Sequence, residues 1–207
     1  MRDVLTDSSL SLADLVASRL CHDLVNPLGA IGNGVELLEM TGKADGPEVD
    51  LIRDAVRAAE ARIRLFRLAF GGASEGQTTS QREAKQAVDG YFHQSRIDAR
   101  WGATGDRTRQ ETKLAFLMLL CAESALPMGG SVSIEPRADG HWELTATGAR
   151  LSVEESLWSR LRLAEPADSR PVRAAEAQFP LLLLAAEALG LTINYVADGD
   201  TLRMSTA

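Results

Sequence analysis

Apolar residues recur with helical spacing from about residue 10 to residue 41, and again from Pro47 to Phe70. The first run holds a contradiction. Its stretch SRLCHDLVNPLGAIGNGVELL, residues 18–38, carries one proline and three glycines inside an unbroken helical rhythm. With His22 set at zero and about 100° per residue, Ala13, Leu20, Leu24, Ile31, Val35 and Leu38 gather around the opposite pole on both sides of Pro27. One continuous helix with a buried stripe is predicted, not two pieces. TGKADGP then makes a turn, and Pro47 suits the first turn of a second helix. There Ile52, Val56, Ala59, Ile63, Phe66 and Phe70 step by four and three, with Asp54, Arg57 and Arg64 off the seam.

Two long helices joined by a short turn form a helical hairpin, and a lone hairpin cannot bury its own seam. Pairing two hairpins gives a four-helix bundle, so a homodimer is expected. The competing arrangement has the C-terminal half cover the hairpin within one chain. Residues 1–72 are assigned to the hairpin and residues 73–80, within the polar GGASEGQTTS, to a linker. Residues 81–207 alternate. A helix is expected over 81–93, a strand at RIDARWG and an apolar helix over 109–126. Strands follow at GGSVSIEPR and HWELTATG, then helices near 153–163 and 171–189, then a hairpin in LTINYVADGDTLRMST turning at Asp198-Gly199. The fold class is α+β: a helical hairpin followed by an α/β sandwich with one mixed sheet.

A net charge of −7 gives no electrostatic footprint for nucleic acid. Cys21 and Cys121 lie in apolar helical runs and read as buried thiols, not a disulfide framework. The polar start MRDVLTDSSLSLADLV does not suit a signal peptide, and FPLLLLAAEALGL is too short to span a bilayer. A cytoplasmic location with no membrane association is expected.

Around His22, on the face away from the stripe, lie Leu15, Ser18, Arg19, Asn26, Gly29, Asn33 and Glu36. The residues that weaken this helix cluster there. Pro27 has no N–H for the Asp23 carbonyl, a loss of about 3 kcal/mol in a helix interior, and each glycine costs up to about 1 kcal/mol against alanine. Gly29 and Gly32 leave the surface near His22 bare of side chains, which points to a docking partner. Gly34 suits close helix–helix packing instead.

His22-Asp23-x-x-Asn26-Pro27-Leu28 resembles the phosphoacceptor box of histidine kinases. More narrowly, ASRLCHDLVNPLGAIGNGVELLE, the RLAFG exit and ESALPMGG together resemble the ChpT-type histidine phosphotransferases of alphaproteobacteria. The resemblance implies a phosphorelay. His22 accepts a phosphoryl group from the receiver domain of a hybrid histidine kinase and passes it to response regulators, which in that family serve cell-cycle control. A neutral imidazole nitrogen is the nucleophile. Asp23 polarises the ring or takes its proton, and Asn26, one turn on, hydrogen-bonds the phosphoryl group or the acceptor. The receiver brings the magnesium ion, so this chain needs no cofactor. Leu15, Ser18, Arg19 and Gly29 are expected to dock the receiver, with Arg57 and Arg64 of the second helix completing the site.

The second domain has the order of elements of a kinase ATP-binding domain, but its boxes are altered. Aligned on Pro127-Met128-Gly129-Gly130, Cys121 stands where kinases hold magnesium with Asn, and Ala146 where an Asp reads adenine. No glycine-rich lid precedes the last helix. A soft thiol is a poor magnesium ligand, so ATP binding is not expected. Two other readings remain: a non-catalytic dimeric adaptor binding receiver domains, and an ATP-dependent histidine kinase. A metal-dependent hydrolase is disfavoured, because His93 and His141 have no ligand-like spacing to each other or to His22.

Overall fold

A computed structural model describes residues 3–41, 46–162 and 171–207 of the chain. On the first helix it describes side chains from Val16 onward, except those of Ser18, Cys21, His22, Val25, Glu39 and Thr41. The expected elements are present. Helix α1 (Asp3–Thr41) runs through Pro27 without a break, starting earlier than the pattern suggested, and α2 (Pro47–Phe70) returns beside it. The chain then forms β1 (Thr78–Thr79), α3 (Gln81–Phe92), β2 (Ile97–Trp101), β3 (Arg107–Thr108) and α4 (Arg109–Ser124). Strands β4 (Gly130–Pro136) and β5 (Trp142–Thr147), helices α5 (Glu155–Trp158) and α6 (Gln178–Glu187), and strands β6 (Ile193–Asp198) and β7 (Thr201–Thr206) complete it.

One five-stranded mixed sheet has the order β2-β4-β5-β7-β6, with β2 parallel to β4 and the other pairs antiparallel. Inside the expected linker, β1 pairs with β3, and Thr79 is buried. The helices expected over 153–163 and 171–189 are shorter, each with a 3₁₀ turn, at Ser159–Leu161 and Ala174–Glu176. Asp198 still pairs with Thr201, so the last turn is Gly199-Asp200, one residue later than expected, with the positive φ of +58° at Gly199.

Helix α4 is the core element, with every residue from Leu114 to Ala122 buried. It starts with a capping box in which Thr108 accepts from the Glu111 N–H and the Glu111 side chain accepts from the Thr108 N–H. Trp101 packs at a tilt on Phe116 and Trp142 between helix and sheet, and Trp158 makes a T-shaped contact with Phe179 and a tilted one with Tyr195.

The sandwich covers only one end of the hairpin. Leu65, Phe66, Leu68 and Ala69 of α2 are buried in the core, whereas Leu28, Val35, Met40, Leu51, Val56 and Ile63 are exposed in the single chain. Three bonds fasten that end. Arg109 Nη1 donates to the Leu68 carbonyl (2.7 Å), Arg109 Nη2 to the Arg67 carbonyl, and Lys113 Nζ to the Gly71 carbonyl (3.0 Å). These cations bring donors and positive charge to the carbonyl end of α2, the end of a helix that favours them.

The three glycines of α1 divide into two kinds. A Cβ on Gly34 would lie 2.3 Å from Cγ1 of Ile52, so this glycine lets the two helices touch. Gly29 and Gly32 have nothing within 4 Å of where a Cβ would stand. Gly34→Val should therefore cost about 1–3 kcal/mol by overpacking. Gly29→Ala should instead stabilise by up to about 1 kcal/mol. Urea denaturation midpoints check the pair, and shifts of the same sign would contradict the assignment.

Candidate functional site

Six of the nine predicted site residues have described side chains, and the structure divides them into three places. His22, Leu15 and Ser18 belong to α1, but their side chains lie outside the described residues. Asn26 and Gly29 are exposed on that helix, where no side chain crowds the surface at Gly29. Exposed Arg57 and Arg64 belong to α2, on a groove of about 560 Å³ between α2 and α3, with His93, Tyr91 and Glu123 also in its lining.

Arg19 departs from expectation. The helical map put it on the exposed face, yet its side chain is 15% exposed and Asp23's is 14% exposed. Arg19 Nε donates to Asp23 Oδ2 at 2.6 Å, and its Nη1 donates to the carbonyl of Ala175 at 2.7 Å. The reason is tertiary: the 3₁₀ turn Ala174–Glu176 packs on this flank of α1, which periodicity cannot foresee. Arg173 secures that turn through Glu176: its Nε donates to Glu176 Oε1 at 2.6 Å and its backbone N–H to Oε2 at 3.0 Å, while its carbonyl accepts from the Glu176 N–H at 2.9 Å. Arg19 is thus a bridge between the helix of His22 and the sandwich, not an open docking residue.

Behind the bridge lies a group the sequence reading missed. Tyr91 of α3 donates its hydroxyl to the Glu123 carboxylate of α4, with contacts of 3.1 and 3.3 Å. The Tyr91 ring is held by Phe66 (centroids 6.0 Å apart) and by Phe92, edge-on at 4.9 Å. Burial raises the pKa of Glu123 above the ordinary carboxylate range, against the opposing pull of its bond to Tyr91 and of Arg19 and Arg62. Burial disfavours the Arg19 cation as well, but Asp23 and Glu123 outweigh that and hold its pKa up. Arg19, Asp23, Tyr91, Glu123 and Arg62 therefore form one electrostatic cluster at the seam between hairpin and sandwich. The available signal was a glutamate in the apolar run LAFLMLLCAES, on the most buried helix of the chain.

Comparison with known proteins decides the class. The family model described as histidine phosphotransferase C-terminal domain matches residues 81–201. The chain belongs to the ChpT-type histidine phosphotransferases. It is 34% identical over 205 residues to the protein phosphotransferase ChpT of Brucella abortus (strain 2308), covering 97% of each chain. A solved bacterial phosphotransferase, at 31% identity, superposes with a TM-score of 0.81 over 96% of both chains. No helix among the described residues is long and apolar enough to cross a membrane.

Cys121 and Ala146 are both fully buried, and burial keeps the Cys121 thiol protonated by raising its pKa well above the ordinary value. Gly129 and Gly130 answer to backbone sterics: a Cβ on Gly130 would lie 2.1 Å from the Thr147 carbonyl. The segment aligned with the kinase lid is the turn that receives Arg19.

The raised Glu123 pKa has a consequence for stability. The folded chain binds that proton more tightly than the unfolded chain, so its stabilisation is complete below the ordinary glutamate pKa of about 4.3 and is lost as pH climbs through the raised value. Glu123→Gln cannot ionise, and its melting temperature should rise relative to wild type as pH goes from about 5 to about 8. A difference that is flat or falls with pH contradicts the placement.

Proposed function

We propose that the chain is a phosphorelay phosphotransferase in which His22 takes a phosphoryl group from the phosphoaspartate of one receiver domain and gives it to the aspartate of another response regulator, without using ATP. The observation that carries this reading is the unbroken α1, which keeps a helix-weakening proline and two uncrowded glycines beside the His-Asp-x-x-Asn-Pro-Leu box. Two exposed glycines that no packing contact explains, Gly29 and Gly32, give up helix stability on a surface open to a partner. In the forward step a ring nitrogen of His22 bonds to phosphorus as the acyl phosphate O–P bond breaks, and the electron pair leaves with the receiver's carboxylate. Asp23 takes or stabilises the proton on the other ring nitrogen, and exposed Asn26 meets the phosphoryl oxygens. Magnesium belongs to the receiver. The donor is the receiver of a hybrid histidine kinase, the acceptors are response regulators of the cell-cycle type, and the site is cytoplasmic.

Leu15, Ser18 and Gly29 dock the receiver on α1, and Arg57 and Arg64 meet it from α2. Arg19 acts from beneath this face. Two features support the exclusion of ATP: buried Cys121 in the place of a magnesium ligand, and a lid segment engaged with Arg19. The row of exposed apolar residues on the hairpin, Ile63 and Val56 among them, supports a homodimer through a four-helix bundle.

The test uses radiolabelled receiver phosphate. Wild-type chain should acquire the label and release it to a second receiver, and His22→Ala should acquire none while keeping its circular dichroism. Incubation with labelled ATP and magnesium should leave the wild type unlabelled. Label on His22→Ala, or on wild type from ATP alone, would sink the reading. Assembly is tested separately. Ile63→Asp places a charge in the proposed dimer core, costing several kcal/mol (about 3–5), and sedimentation should show monomer where wild type shows dimer. A folded wild-type monomer refutes the bundle.

A further inference from the structure

We propose that Arg19 is a positioning residue of the transfer site: its guanidinium, anchored on the Ala175 carbonyl of the sandwich, holds the Asp23 carboxylate in the orientation from which it serves the His22 ring. The proposal rests on the reading of His22 as phosphoacceptor. It goes beyond that reading by giving the sandwich a part in the transfer through one side chain.

The geometry is two direct contacts made by one rigid group. Arg19 Nε donates to Asp23 Oδ2 at 2.6 Å, an ion pair as well as a hydrogen bond, and Nη1 donates to the Ala175 carbonyl at 2.7 Å. Both nitrogens belong to one planar guanidinium, so fixing one sets the direction of the other. Bonds from a charged donor are also the stronger kind. Ala175 is itself held, because it lies in the 3₁₀ turn Ala174–Glu176, where Arg173 closes on the buried Glu176 with its Nε and its N–H. The Asp23 carboxylate is therefore placed by the sandwich and not by α1 alone.

Helix stability does not account for the pair. Arg19 precedes Asp23 by four residues, and the reverse order, acid first, is the one that supports a helix better. Both side chains are also largely withdrawn from water, and an apolar pair of the same shape would join helix and turn without losing that solvation. Orientation supplies a reason. Asp23 follows His22 directly, and an unrestrained aspartate moves among staggered rotamers that aim its carboxylate in different directions. Arg19 selects one of them. A carboxylate that accepts the N–H of one imidazole nitrogen fixes the tautomer and leaves the lone pair of the other nitrogen for phosphorus. Transfer of this kind depends on positioning, where a displacement of about 1 Å lowers the rate steeply.

The test separates positioning from packing. Phosphoramidate, a small phosphodonor that needs no docking surface, is used to phosphorylate the full-length chain, and phosphohistidine formation is timed. A ring nitrogen bonds to phosphorus as the P–N bond of the donor breaks, and ammonia leaves with the electron pair. At saturating donor Asp23→Asn should slow labelling about a hundredfold and Arg19→Gln about tenfold, the smaller loss because the carboxylate is still present. The half-saturating donor concentration should stay at its wild-type value. Arg19→Gln combined with Asp23→Asn should label no more slowly than Asp23→Asn alone, because Arg19 acts only through that carboxylate. Arg19→Lys keeps the charge on a single nitrogen, and its rate should fall between wild type and Arg19→Gln. Nitrogen NMR of the His22 ring should show one dominant tautomer in wild type and a mixture in Arg19→Gln, a change that lost packing alone does not produce. A wild-type rate or tautomer ratio in folded Arg19→Gln overturns the proposal, and so do losses that multiply in the combined variant. A wild-type rate in Arg19→Lys overturns the anchoring on Ala175. Failure of both Arg19 variants to fold makes the residue structural and overturns the proposal as well. Labelling of His22→Ala at the wild-type rate would overturn the phosphoacceptor reading itself, a result distinct from the others.

Discussion

The seam between the end of the hairpin and the sandwich is the constraint on which the rest depends. At that seam Arg109 and Lys113 of α4 hold the last carbonyls of α2, and the apolar side chains Leu65, Phe66 and Leu68 enter the core of the second domain. On the other flank Arg19 ties α1 to the turn at Ala175. Each bond alone is worth about 1 kcal/mol, or somewhat more where one partner is charged. Together with the buried apolar surface they make hairpin and sandwich one body. The arrangement fixes where Asp23 stands, which flank of α1 is covered and which is open to a partner.

This constraint bears on the chemistry. An enzyme that phosphorylates its own histidine from ATP must bring a nucleotide domain to the ring and then withdraw it. Here the corresponding domain is fastened beside the helix by Arg109, Lys113 and Arg19, and Cys121 and Ala146 are buried in its core. A domain so placed serves as a wall. It leaves Asn26, Gly29 and Gly32 exposed on the other flank, the surface that the proposed transfer uses. Gly29 and Gly32 are exposed and uncrowded, so they leave that surface flat, while Gly34 serves the contact with Ile52 and Pro27 is buried.

Much of this was legible in the chain. Helical periodicity gave both hairpin helices through Pro27, and alternation gave the five strands of the sheet because each has one face on the core. The His22 box could be placed on a helix face for the same reason. Arg19 was misplaced because periodicity describes one helix in isolation. Its flank is covered by residues more than 150 positions away, Ala175 among them. Tyr91 and Glu123 escaped notice because nothing local marks a pair that meets 32 positions apart. The 3₁₀ turns and shortened helices after residue 150 follow the docking of that segment on α1 and α4, a tertiary effect that propensity does not carry.

The central claim, that hairpin and sandwich form one fixed body holding the histidine for an outside donor, is tested most directly by measuring a distance between them. Spin labels at Asn33→Cys on α1 and Glu143→Cys on β5, both exposed, would be placed on one protomer only, with Cys21 and Cys121 replaced by alanine. Double electron–electron resonance should give a single narrow distance that does not change when magnesium and ATP are added. A second population, or a shift of the distance with nucleotide, would contradict the account.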